Sequence, residues 1–90
     1  MNKTEFVDAV AESADVPKAT AAKVIDSMIS TVGDALKAGD QVTLVGFGTF
    51  LVRKREARQG RNPRTGDMIQ IAASNVPSFK AGKALKDTVN

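Results

Sequence analysis

The residues with the clearest chemical capacity are six basic side chains between positions 53 and 64. They are Arg53, Lys54, Arg55, Arg58, Arg61 and Arg64, and Glu56 is the only acidic residue among them. Guanidinium and ammonium groups at this density attract polyanions, and the phosphates of nucleic acid are the obvious candidate. The basic run therefore predicts a nucleic-acid-binding segment.

The chain has few of the side chains that enzymes use for catalysis. It contains no cysteine and no histidine, so thiol nucleophiles, imidazole bases and the common zinc sites are excluded. The acidic residues are dispersed, and no nucleophile–base pair can be proposed. Gly46-Phe47-Gly48 lacks the third glycine of a dinucleotide fingerprint and is read as a tight turn. We expect no catalytic residue, no metal, no cofactor and no small-molecule substrate.

The basic run needs a scaffold, and the flanking residues indicate a β-hairpin. Thr49–Val52 and Met68–Ile71 are strand-like, and Asn62–Gly66 has the composition of a turn. About eight residues per strand at roughly 3.3 Å each predict an arm of about 26 Å. Strand alternation places Arg53 and Arg55 on one face of the arm, whereas a bulge after Gly60 would leave the face of Arg61 open.

Helical periodicity precedes the strands. Asn2 and Glu5 resemble a capping box, and Pro17 separates a first helix from a second that stops near Gly39. A short terminal helix carries Lys80, Lys83 and Lys86 on one face. The predicted fold class is α+β: two N-terminal helices, a three-stranded antiparallel sheet with a protruding β-ribbon arm, and a short C-terminal helix. We divide a single domain, 1–90, into a helical dimerisation part (1–40), a sheet (41–81) with its arm at about 53–73, and a C-terminal helix (82–90).

Charge is divided unevenly along the chain. Residues 1–40 hold four basic and seven acidic side chains, whereas residues 41–90 hold nine basic and three acidic ones. We interpret the first part as a support and the second as the binding half. No apolar run is long enough for a signal peptide or a membrane span, so we expect a cytoplasmic protein without a membrane partner.

The second helix has a wider apolar stripe than one thin chain can bury. A cofactor site is the less favoured interpretation of this stripe, and packing in a core or against a partner is the more favoured one. Two-fold symmetry would also place two arms on opposite sides of one duplex. We therefore predict an obligate dimer whose core contains apolar side chains of the helix and three phenylalanines: Val24, Met28, Ile29, Val32, Leu36, Phe47, Phe50 and Phe79.

Pro63 at the hairpin tip has two possible roles. It can simply shape the turn, or it can act as an apolar wedge between two base steps, anchored by flanking arginines. Candidate readers of base edges are few and scattered, namely Gln59, Asn62 and Gln70. Strong sequence preference is therefore not expected.

Three segments carry a resemblance to a known family: Gly46–Phe50, Gly60–Gly66 and Val76–Lys86. They resemble the signature segments of the HU/IHF family of small bacterial nucleoid DNA-binding proteins, and Val76-Pro77 before Phe79 is more similar to the HU branch. The resemblance implies an intertwined dimer whose paired arms curl around bent duplex DNA and compact the chromosome, with Pro63 as an intercalating wedge in the minor groove. It also implies phosphate contacts beyond the arm. The candidate DNA-binding set becomes Lys3, Arg53, Arg55, Arg58, Arg61, Asn62, Pro63, Arg64, Lys80, Lys83 and Lys86, with Lys18 a possible addition.

Two other classes of partner stay open from the residues alone. A basic arm can add to an acidic protein, although strand addition does not require so many arginines. RNA is the other alternative, but the arm lacks the aromatic side chains on which single-stranded bases usually stack. The second subunit of the dimer can be identical or a paralogue.

Overall fold

The computed structural model describes residues 1–90 as three helices and five strands. The helices are α1 (Lys3–Ala14), α2 (Lys18–Lys37) and α3 (Lys83–Val89). The strands are β1 (Val42–Leu44), β2 (Gly48–Arg55), β3 (Arg58–Arg61), β4 (Met68–Ile71) and β5 (Ser74–Ala81). The predicted α+β class and the predicted order of elements are confirmed. None of the three helices combines the length and the apolar character that crossing a membrane requires.

Helix α1 has well-defined ends. Asn2 is its N-cap, and the Asn2 Oδ1 accepts a hydrogen bond of 2.8 Å from the backbone N–H of Glu5. At the other end Asp15 adopts a left-handed conformation (φ 56°), and the N–H of Val16 donates to the carbonyl oxygen of Ala11 at 3.0 Å. This is the bonding pattern of a Schellman motif, so the chain has left α1 before Pro17 is reached.

The chain divides into two compact units, residues 1–35 and residues 36–90. The buried core of the first unit consists of four apolar side chains contributed by both helices: Val7, Ala11, Ala21 and Ile25. Other members of the α2 stripe, Val24, Met28 and Ile29, remain exposed in the single chain. The apolar face of α2 is therefore only partly covered by its own chain.

The second unit contains an antiparallel sheet in the order β1-β2-β5. Phe50 of β2 pairs with Val42 of β1 on one side and with Phe79 of β5 on the other. Pro77 lies in β5, an edge strand, where a residue without an N–H does not interrupt a central ladder. Strands β3 and β4 form a separate two-stranded sheet.

Three phenylalanines organise the β1-β2-β5 sheet. The Phe79 ring centroid lies 4.8 Å from that of Phe50 and 5.4 Å from that of Phe47, in tilted geometries that favour aromatic attraction. The Phe79 ring also covers Gly48, which is buried. A Cβ at position 48 would enter that ring and approach the carbonyl oxygen of Lys80 to 2.6 Å. The second glycine of Gly46-Phe47-Gly48 is therefore required by close packing and not by a nucleotide.

Helix α3 is attached to the turn between β1 and β2. The N–H of Gly82 donates to the carbonyl oxygen of Phe47 at 2.7 Å, and the N–H of Leu85 donates to that of Gly46 at 3.2 Å. Gly82 is the N-cap of α3. These bonds hold the start of a seven-residue helix that would be marginal alone.

The N-cap of α1 predicts a specific loss of stability. We expect Asn2→Ala to lower the free energy of unfolding by about 1 kcal/mol, because the N–H of Glu5 loses its acceptor. The measurement is denaturant unfolding at one fixed protein concentration. Asn2→Asp is the matched control, since it retains an acceptor oxygen and should be close to the parent protein. Equal losses in the two variants would contradict a capping role for this side chain.

Candidate nucleic-acid interface

The first basic residues of the run lie at the outer end of β2. Arg53, Lys54 and Arg55 are exposed and extend past β1, which pairs only with the opposite end of β2. Arg53 pairs with Val76, and Arg55 pairs with Ser74. Successive side chains of a strand point to opposite faces, so Arg53 and Arg55 share one face, as predicted, and Lys54 lies on the other. Lys54 was not in the candidate DNA-binding set, although its charge and its place in the strand can both be recognised from the sequence.

The β2–β5 ladder does not continue unbroken into the arm. Pairing ends at Arg55 and Ser74 and resumes at Arg58 and Ile71. The continuous strands of about eight residues expected from the sequence are thus divided by two unpaired residues on each side, residues 56–57 and 72–73. Three of these four residues are alanine, which is depleted in strands and contributes little cross-strand packing.

The β3–β4 sheet presents two different faces. Arg58 pairs with Ile71 and lies on the same face as Gly60, because alternate residues point the same way. The Cδ1 of Ile71 would lie only 2.8 Å from a Cβ at position 60, so the Ile71 side chain covers Gly60. Pairing is continuous through Gly60 and no bulge interrupts it. Arg61 therefore lies on the face opposite Arg58.

The second face of the arm carries amides, one cation and one thioether. Gln59 pairs directly with Gln70, and Arg61 pairs directly with Met68. All four side chains are exposed. The cross-strand pairing of the two glutamines and of arginine with methionine was not deduced from the sequence, since it depends on a register that the turn sets.

The arm ends in a turn held by four hydrogen bonds. The N–H of Asn62 donates to the Asp67 carbonyl oxygen at 2.7 Å, and the N–H of Gly66 donates to the Asn62 carbonyl oxygen at 2.7 Å. The Asn62 Oδ1 accepts from the N–H of Arg64 at 2.9 Å, and the Thr65 Oγ1 accepts from the N–H of Asp67 at 3.3 Å. Gly66 has φ 76°, a conformation in which glycine is favoured. The predicted turn at residues 62–66 is confirmed.

Pro63 is exposed at this tip, between Asn62 and the exposed side chain of Arg64. Proline has no N–H, so its ring can occupy this position without leaving a donor unsatisfied. Asn62, a candidate contact residue, uses its side-chain oxygen within the turn. The tip therefore presents a stiff apolar ring on a hydrogen-bonded support.

The lysines of the C-terminal region are divided between a strand and a helix. Lys83 and Lys86 both lie in α3, three residues apart and on neighbouring positions of one helical face. The prediction that Lys80 shares this helical face is wrong. Lys80 belongs to β5, where it pairs with Thr49, and α3 starts only after Gly82. Lys80 is in a strand and not in the helix because it belongs to a run of eight β5 residues that pair with β2.

Both ion pairs of the structure lie in the helical unit. The Lys3 Nζ is 2.6 Å from the Asp26 carboxylate, and the Lys18 Nζ is 3.5 Å from that of Asp8. By contrast, the nine basic side chains of residues 41–90 are all exposed, and none of them forms an ion pair. The positive charge of the second unit is thus available to an external anion. Nowhere do three or more acidic side chains gather as a metal-binding group.

Comparison with known proteins places this arrangement in a family. The family model described as bacterial DNA-binding protein matches residues 1–90. The chain is 63% identical over 90 residues to DNA-binding protein HU-beta of Pseudomonas aeruginosa and 59% identical over 90 residues to that of Serratia marcescens, with complete coverage of both proteins in each case. An Anabaena HU–DNA cocrystal structure superposes with a TM-score of 0.92 at 50% identity, covering 99% of this chain and 97% of the other.

The family is one of DNA-binding proteins and not of enzymes. Similarity extends over the helical unit, the sheet and the arm alike, because the match begins at residue 1 and ends at residue 90. The resemblance inferred from the signature segments is confirmed. This chain belongs to the bacterial DNA-binding protein family and is of the HU type.

Proposed function

We propose that this protein is an architectural DNA-binding protein that binds duplex DNA with little sequence preference, bends it and helps to compact the bacterial chromosome. The observation that carries the proposal is the set of nine exposed basic side chains without an ion-pair partner in residues 41–90. Binding by phosphate neutralisation uses charge and not base identity. A role on the nucleoid, in the cytoplasm, follows from this assignment.

The arm is proposed to lie in the minor groove. A ribbon with cations on both faces can follow a groove and face the phosphates on either side of it. Arg58 and Arg61 supply these cations on opposite faces of the β3–β4 sheet. Because the arm offers few bidentate readers of the major groove, its contacts should depend mainly on DNA shape and backbone.

Pro63 is the proposed wedge. Its exposed ring at the end of a hydrogen-bonded turn has the shape needed to enter a partly unstacked base step. Arg61 and Arg64 flank it and can hold the neighbouring phosphates. Lys80, Lys83 and Lys86 are proposed to contact DNA away from the arm. Lys3 is proposed to do so as well, in competition with its ion pair to Asp26.

A second subunit is proposed to cover the apolar surface that one chain leaves exposed. Val24, Met28 and Ile29 of α2 are 60%, 49% and 55% exposed, and Phe47 and Phe79 are 46% and 42% exposed. Large apolar patches of this kind mark interaction sites in soluble proteins. The proposed dimer core adds the half-buried Val32, Leu36 and Phe50 to these residues. The partner is a second copy of the chain or a paralogue.

The proposed dimer predicts that folding depends on protein concentration. We expect the thermal unfolding midpoint to rise across a hundredfold increase in concentration, because association stabilises only the folded chain. Ile29→Glu should abolish this dependence, since a buried unpaired carboxylate costs about 3–5 kcal/mol. Ser30→Glu is the matched control: it adds the same charge at the next position, which is exposed, lies about 100° around the helix and is outside the apolar stripe, so the dependence should remain intact. A concentration-independent midpoint in the parent, together with a monomer mass, would refute the dimer.

Phosphate neutralisation predicts steep salt dependence. If the dimer covers about eight phosphates, log K should fall against log salt with a slope of roughly −7. Lys83→Ala should make that slope shallower by about 1 for each phosphate that is no longer neutralised. The loss of affinity should be the same for different DNA sequences. Lys23→Ala removes an exposed cation from the helical unit and should change the slope little. A slope near zero in the parent protein would rule out the mechanism.

The wedge is tested by separating bending from binding. Unstacking a base step costs a few kcal/mol, and DNA already kinked by a nick needs less of that energy. Pro63→Ala should therefore reduce binding and bending of intact duplex while retaining much of its affinity for nicked duplex. The measurement is a pair of titrations in which energy transfer reports the distance between the DNA ends.

Arg61→Ala provides the contrasting variant for this experiment. It removes a cation two residues from Pro63, so both substrates should lose affinity, and the loss should shrink at high salt. If Pro63→Ala instead weakens both substrates equally and leaves the bend of the bound DNA unchanged, Pro63 is only a turn former.

A further inference from the structure

Met68 has an exposed thioether and lies on the arm, which is proposed above to contact DNA. It is the first residue of β4, immediately after the tip turn, and its side chain is 58% exposed. Met68 pairs directly with Arg61 and so lies on the same face of the arm. Side chains paired in this way have Cβ atoms about 4.5–5.5 Å apart, and both of these are long enough to touch.

We propose that Met68 is a site of oxidative modification through which peroxide weakens the arm's hold on DNA. The inference rests on the proposed function, because the consequence is a change in DNA binding. In the reaction the thioether sulfur attacks hydrogen peroxide. The O–O bond breaks, an S–O bond forms, and water leaves. The sulfur is oxidised by two electrons to the sulfoxide and the peroxide is reduced.

The effect follows from the chemistry of the new oxygen. A thioether is a weak hydrogen-bond acceptor, whereas a sulfoxide is polar and accepts well. The nearest cation across the strands is Arg61, whose guanidinium has five N–H donors and no acidic partner in the protein. A sulfoxide at position 68 competes with phosphate for these donors. It also places a partial negative charge in a groove of negative potential.

The other methionines of the chain provide internal comparisons. There are three in all, and Met1 is 85% exposed beside the N-cap of α1. Met28 lies on α2 in the proposed dimer core and is 49% exposed only in the single chain. Each methionine therefore samples a different environment: an exposed position before the α1 N-cap, the proposed subunit interface and the arm. DNA should protect Met68 more than Met28, and dimer formation should protect Met28 more than Met68.

The first experiment maps oxidation. The full-length protein is treated with hydrogen peroxide, free and bound to a saturating intact duplex, and sulfoxide at each methionine is measured by peptide mass spectrometry. We expect Met68 to oxidise in the free protein at a rate comparable to Met1 and to be several-fold slower when DNA is bound. Equal oxidation of Met68 in free and bound protein would overturn its placement at the DNA interface.

The second experiment measures the consequence. Peroxide treatment should raise the Kd for duplex DNA roughly three- to tenfold in the parent, as expected for losing a surface ion pair in each of two arms. Met68→Leu lacks the oxidisable sulfur, so peroxide should leave its Kd unchanged, whereas the control Met28→Leu should respond to peroxide as the parent does. Thermal unfolding confirms that each variant is folded. Complete Met68 oxidation with an unchanged Kd in the parent would refute the proposal.

The role of Arg61 is tested by combining the two changes. The Arg61→Ala variant still carries Met68 but has no guanidinium at position 61 for which the sulfoxide could compete with phosphate. Peroxide should therefore weaken its DNA binding by less than that of the parent. An undiminished peroxide effect in this variant would refute the competition mechanism. The outcome is distinct from a failure of the proposed function. If the untreated parent shows no salt-dependent DNA binding, the function fails, whereas normal binding without peroxide sensitivity removes only the role of Met68.

Discussion

Repulsion among unpaired cations is the main electrostatic constraint on the β-sheet unit. Residues 41–90 hold nine basic and three acidic side chains, and none of the nine is in an ion pair. Like charges repel one another, and in this unit they are distributed along strands, a turn and one helix. The helical unit has an excess of acidic residues and pairs Lys3 and Lys18 internally. A polyanion can therefore relieve the repulsion in one unit without competing with many carboxylates.

Backbone hydrogen bonds, more than side-chain packing, hold the arm together. No residue of the β3–β4 sheet is fully buried, and its packing is limited to Ile69 and Ile71 beside Gly60. Its order comes from four ladder pairs and from the hydrogen bonds of the tip. At its base the ladder is interrupted, and the next pairs belong to the β1-β2-β5 sheet, where the three phenylalanines provide aromatic packing. Side chains for binding and side chains for packing are thus largely separated along the same strands.

The small core links the proposed association of two chains to DNA binding. Four buried apolar side chains are few for a helical unit of this length, and the remaining α2 stripe needs another surface to cover it. A two-fold arrangement would satisfy that need and would also supply a second arm. Stability and the geometry of DNA binding would then have the same physical origin.

Much of this protein was determined by local sequence signals. Asn2, Gly39 and the Asn62–Gly66 turn predicted element boundaries because capping and turn preferences act over only a few residues. The signature segments predicted the family, and the basic run predicted the candidate interface, whose side chains are exposed in the structure. Tertiary structure alone decided the interruption at residues 56–57, the placement of Lys80 in β5 and the pairing of Arg61 with Met68. Each of these depends on which residues of a distant strand lie opposite, and register is a property of two strands together that neither one encodes by itself.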